Sequence, residues 1–88
     1  MEISMSRYML HIKFGQTESF DPPKEAWFRG EMDLFSPVFW LKKESKWIVP
    51  NGDGSDRAEE MDDASREKLI PYIIKAAKEQ GTIIELWV

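Results

Sequence analysis

Only one stretch of this chain has the spacing of a helix. Between Asp62 and Gly81, "DDASREKLIPYIIKAAKEQG" sets Leu69, Ile70, Ile73, Ile74 and Ala77 at steps of three and four residues, one apolar stripe along a helical cylinder. Asp62 or Asp63 is the natural N-cap, because a carboxylate there accepts from the free amides of the first turn. Gly81 is placed to close the C-terminus. Pro71 falls inside the helix, removes the hydrogen bond to the Glu67 carbonyl and predicts a kink, at about 3 kcal/mol. A single amphipathic helix has to bury its stripe on something else, and the rest of this 88-residue chain must supply the surface.

That surface reads as sheet. Tyr8, Leu10, Ile12 and Phe14 alternate with Met9, His11 and Lys13, the period of a half-buried strand. Ile3 and Met5 fall on the opposite phase, which predicts a bulge near Ser6 or a frayed start. "GQTESFDPPKE" breaks the pattern with Gly15 and the donor-less Pro22-Pro23 pair, and reads as a loop. In "AWFRGEMDLF", Phe28, Met32 and Leu34 oppose Trp27, Arg29, Glu31 and Asp33; Gly30 on the inner phase predicts a bulge or a large neighbour lying over it. Past the Ser36-Pro37 turn, "VFWLKK" and "KWIV" are either two short strands joined by a turn or one strand interrupted near Glu44-Ser45. "TIIELWV" is a terminal strand. The expected fold is a single α+β domain over residues 1–88 in the order β-β-β-β-α-β. Its sheet is mainly antiparallel, with about five strands; the helix packs on one face and part of the other stays available.

Charge sharpens the picture. From Pro50 to Asp63, "PNGDGSDRAEEMDD", six acids stand against Arg57 alone, a sum of −5, while the remaining ten acids and eleven bases sum to +1. The acidity of a chain of net charge −4 is thus local, and attraction to a basic partner is focused there. This segment reads as an exposed polar linker whose last acids favour the helix N-terminus. The absence of Cys excludes disulfides, thiolate nucleophiles and Cys-ligated zinc, and is compatible with a reducing compartment. The N-terminus has neither a basic region nor a long apolar one, and no apolar run approaches the roughly 20 residues of a membrane span. A soluble cytoplasmic protein is expected, without a membrane association.

No stretch spells out a reaction. Counted from Asn51, the acidic segment partly follows a calcium loop, with Asn51, Asp53 and Ser55 at the first, third and fifth positions and Glu59 and Asp62 at the ninth and twelfth. It places Asp56 where the sharp turn needs glycine, and no helix precedes it, so no metal site is assigned. His11, the only histidine, falls on the outer phase beside Met9 and Lys13. No nucleophile elbow, paired-histidine motif or glycine-rich phosphate loop is present. Glu31 and Asp33 share a strand face and are expected to pair with Arg29 or neighbouring lysines. The expectation is therefore a protein that is not an enzyme and needs no cofactor. "FWLKKESKW" mixes Phe39, Trp40 and Trp47 with lysines, as single-strand nucleic-acid platforms do, but the acidic segment beside it repels phosphate. A nucleic-acid partner ranks third. Trp27 and Arg29, on one strand phase, have instead the composition of a protein-binding hot spot.

The order of features resembles the Immunity protein 74 family of bacterial polymorphic toxin systems. The likeness rests on Gly30-Glu31 in the second strand, the aromatic "PVFWL", Ser45 followed by "KWIVP" with Trp47 and Pro50, a polar loop, the helix "EKLIPYIIKAAKEQG" and the terminal "TIIELWV". It covers nearly the whole chain, with a serine-to-tryptophan spacing one residue shorter than the family's. The resemblance implies a non-enzymatic protein that binds and neutralises a cognate toxin in the cytoplasm. Many such toxins are nucleases with basic clefts, so the expected partner is a toxin domain with a basic surface. The contact is expected at Asp53, Asp56, Glu59 and Glu60, with Trp27 and Arg29 as hot-spot candidates. The alternative from another class is a small structural or regulatory module that self-associates through a strand edge or the tryptophan face.

Overall fold

The computed structural model describes residues 1–15 and 24–87. It is an α+β domain in which six strands form one sheet: β1 Glu2–Met5, β2 Met9–Phe14, β3 Lys24–Met32, β4 Val38–Pro50, β5 Asp56–Glu60 and β6 Ile83–Leu86, with α1 Asp63–Glu79 between the last two. Strands β1 to β5 pair as consecutive antiparallel neighbours. Strand β6 pairs parallel to the first part of β4, and β5 pairs with its last part, so the two occupy the same edge of this thirteen-residue strand. The order β-β-β-β-β-α-β retains the expected class and adds one strand. Among the described residues no helix is long and apolar enough to cross a membrane.

Alternation builds the core. Leu10, Ile12 and Phe14 of β2, Ala26 and Phe28 of β3, Phe39 and Leu41 of β4 and Ile84 of β6 point to one face. The helix lays Leu69, Ile70, Ile73 and Ala77 over them. Phe14, Phe28 and Phe39 are all fully buried, and each stabilises the fold by about 2 to 3 kcal/mol through transfer from water alone. Both helix ends follow from the sequence. Asp62 is the N-cap, its Oδ2 accepting from the Ser65 amide at 3.1 Å. After the C-cap Gln80, Gly81 takes φ +83°, which lets the Thr82 amide donate back to the Ala77 carbonyl at 2.8 Å. The helix continues through Pro71, which is exposed on its solvent side.

Three readings are corrected. The phase change after Met5 is a reverse turn: Ile3 pairs with Ile12 and Met5 with Leu10 across a β1–β2 hairpin, and the Ser6 amide donates to the Met9 carbonyl at 2.9 Å. Tyr8, in that turn, is exposed instead of facing inward, and Leu34 is exposed beyond the end of β3. Of the two arrangements expected for "VFWLKKESKWIVP", the single strand interrupted near Glu44-Ser45 is the one observed, since Phe28 pairs with Ser45 and Gly30 with Leu41, two steps of β3 against four of β4. Gly30 is buried, with the Phe39 ring and the Trp40 carbonyl against the space a side chain would fill. Finally, the acidic segment is not a plain linker: Asp56–Glu60 is strand β5, joined to β4 by a hairpin loop in which Gly52 and Gly54 have φ +88° and +93°. The loop expected around Pro22-Pro23 lies mostly in residues 16–23, outside the described part; Lys24 and Glu25, at its end, already belong to β3.

Candidate protein-binding face

The helix covers one side of the sheet. On the other, strand register aligns Ser4, His11, Trp27, Lys46 and Glu60 in a row across five strands. A second row runs through Lys13, Glu25, Ile48 and Ala58, and a short third pairs Pro50 with Asp56. Among the described residues no further layer lies over this face. Trp27 is half-buried between its charged neighbours.

One histidine–carboxylate hydrogen bond and two ion pairs hold those neighbours in place. His11 Nε2 is 3.0 Å from Glu25 Oε2, Lys46 Nζ is 2.6 Å from Glu60 Oε1 and Arg29 Nε is 3.1 Å from Glu44 Oε2. All three are solvent-accessible, so they order side chains more than they stabilise the fold. The hydrogen bond and then the charge of Lys46 hold the Glu60 carboxyl below its usual range. Beside Arg29, a depression of about 350 Å³ opens among Tyr8, Met9, Arg29, Gly30, Glu31 and Lys42. Farther along the same face Trp40 and Trp87 pack edge to face with ring centres 6.3 Å apart, and Lys42 Nζ lies 5.4 Å from the Trp87 ring centre.

Four of the six partner-binding candidates, Trp27, Arg29, Asp56 and Glu60, share this face. The other two do not. Glu59 pairs with Trp47 in register and so points to the helix side, 3.8 Å from Arg57. Asp53 sits in the hairpin loop, where its Oδ1 accepts from the Ser55 hydroxyl at 2.5 Å and the Ser55 amide at 3.0 Å, bonds that lower its pKa in that order. The aromatics of "FWLKKESKW" are likewise divided: Phe39 is in the core, Trp47 packs on the core side edge-on to Phe14, and Trp40 faces out. Among the described residues Asp33 pairs with neither Arg29 nor a lysine. Its Oδ2 accepts from Trp40 Nε1 at 3.0 Å and its Oδ1 from the Phe35 and Ser36 amides at 2.8 and 3.2 Å, and its pKa is lowered by the Trp40 bond first.

On the helix side of the sheet, a contact between Ser45 and Arg66 escaped sequence reasoning. Ser45, buried at the β4 irregularity, accepts from Arg66 Nε at 2.7 Å, and Arg66 Nη2 donates to the Met61 carbonyl at 3.0 Å. The sequence marked Ser45 as a break in the strand and as a landmark of the resemblance, and gave no sign of its partner Arg66. Among the described residues no group of three or more His, Cys, Asp or Glu lies together to hold a metal ion. Compared with known proteins, the chain matches no family model, no curated protein and no solved structure.

Proposed function

We propose that this chain is a non-enzymatic immunity protein that binds and neutralises a cognate bacterial toxin in the cytoplasm through the open face of its sheet. The row His11–Trp27–Lys46–Glu60 carries the reading: a half-buried tryptophan set among ordered polar and charged side chains on a sheet face over which, among the described residues, no further layer lies. Tryptophan and arginine dominate protein-binding hot spots, and Trp27 has Arg29 two residues along the same strand face. Asp56 and Glu60 border that face with negative charge, which steers a basic surface toward Trp27 and competes with the phosphates a nuclease cleft would otherwise hold. The likeness to the Immunity protein 74 family supports the same function.

The test is coexpression with a toxin domain encoded beside the gene. The chain is expected to restore growth, and the W27A and R29A variants to restore it poorly. A chain that fails to protect, while folded and abundant, would end the proposal.

A further inference from the structure

A second surface lies at the end of the sheet, away from the acidic hairpin. Four strand termini meet there: Met5 ends β1, Met32 ends β3, Val38 begins β4 and Ile83 begins β6. With Pro37, Phe39, Gly81 and Thr82 they line an open groove of about 250 Å³ in which no residue is charged. A cavity of about 150 Å³ already takes a benzene ring. Met5, Met32 and Ile83 leave 39%, 38% and 47% of their surface to solvent.

The β3–β4 turn beside the groove carries its counterpart. Leu34 is 71% exposed and Phe35 95% exposed. This is not a loose tip, because the Asp33 carboxylate accepts from the Phe35 and Ser36 amides and is itself fastened to the Trp40 indole, and the Asp33 amide donates to the Val38 carbonyl at 2.9 Å. An aromatic held out by a rigid turn loses little conformational freedom when it docks.

We infer that this end is a homodimer interface, in which Phe35 of each copy enters the groove of the other. Three observations select a second copy as the occupant. Knob and groove are on the same chain, joined through Pro37, so a two-fold axis satisfies both at once and closes the assembly. The exposed apolar area, about 200 Å² from the aromatic and roughly 500 Å² with its neighbours, fits the apolar core of an interface burying about 800 Å² per partner. The charge distribution also permits it. β4 runs from Val38 at this end to Pro50 at the other, so the hairpin with Asp53 and Asp56 lies at the far end, and Glu60 and Asp63 return only as far as the middle of β4, beside Lys46 and the Ser45–Arg66 contact. The groove lining itself brings no charged side chains of the two copies together.

Sedimentation equilibrium between about 5 and 500 μM tests this, together with a spin label on S36C, a clean position in a chain without cysteine. The wild type is expected to pass from monomer to dimer over that range. F35A should dimerise at least about a hundredfold more weakly, since the symmetric pair loses two hot-spot side chains. I83K, which places a charge in the groove, should do the same; both should keep the wild-type melting temperature as dilute monomers, because neither position is in the core. In a mixture of spin-labelled and isotope-labelled chains, the amides of Met5, Met32 and Ile83 should broaden. A wild type that stays monomeric at 500 μM overturns the inference. So does a dimer that F35A leaves intact, or one whose broadening falls elsewhere.

Discussion

Arg66 Nε donates to the hydroxyl of Ser45 at 2.7 Å, and this contact joins the first turns of the helix to the irregular point of the longest strand. The guanidinium also reaches the Met61 carbonyl at 3.0 Å and Asp63 at 2.7 Å, so one side chain satisfies groups from β4, the β5–α1 connection and the helix. R66M keeps much of the packing and removes the donors, leaving the Met61 carbonyl without this partner and the Ser45 hydroxyl with only its long contacts to the Lys43 carbonyl at 3.4 Å and Met61 Sδ at 3.5 Å. A loss of about 2 to 4 kcal/mol is expected by urea unfolding, and S45A, which leaves Arg66 its other acceptors, should lose about 1 to 2 kcal/mol. The two should be non-additive in a double-mutant cycle, because each removes the same bond.

Gly30 is required for space. A Cβ there would run into the Phe39 ring and the Trp40 carbonyl, and the carbonyl belongs to a strand that cannot step aside. G30A is expected to destabilise by about 2 to 3 kcal/mol, and G30V to prevent folding. A melting temperature for G30A within a degree or two of wild type would show that β3 and β4 can separate there.

Acid should act through the four carboxylates held below their ordinary range, Asp33, Asp53, Glu60 and Asp62, two of which order turns that flank the core. Asp62 and Asp33 both have pKa values below the ordinary 3.8, the first chiefly through the Ser65 hydroxyl and amide, the second through the Trp40 indole and the Phe35 amide. Folded values below the unfolded ones mean that these groups contribute stability above about pH 4 and lose it as pH falls through the lower, folded values. Melting temperature should therefore change little through these two groups from pH 7 to about pH 4 and fall below that. D62A should melt lower at pH 7 and show a smaller further drop on acidification; an equal drop in D62A would place the acid-sensitive groups elsewhere.

What was legible in the sequence followed the apolar periods. Leu10, Ile12, Phe14 and Phe28 alternate, Leu69 to Ala77 step by three and four, and these residues form the core. Strand β5 was not legible because its five residues are all exposed and carry one apolar side chain, Ala58; it is a strand through its hydrogen bonds to β4 and the turn made by Gly52 and Gly54. Those two glycines between β-compatible runs were the available sign. For the candidate face, alternation alone put Trp27 and Arg29 outward. It could not show that Glu60 joins them and Glu59 does not, since that depends on the register of a strand the apolar pattern does not mark. Asp33 two and three residues before Phe35 and Ser36 has the spacing of a local turn, but its bond to Trp40 and that of Arg66 to Ser45 depend on strand register and helix placement, which the local sequence does not mark.

The open face is tested most directly by the affinity of the purified chain for the proposed toxin partner, at low and moderate salt. The variant to compare is W27A/D56N/E60Q, whose three positions share that face and contribute no core residue. A variant that melts as the wild type does, binds at least about a hundredfold more weakly and shows a flatter salt dependence is the predicted result. Unchanged affinity and unchanged salt dependence in the folded variant would contradict it.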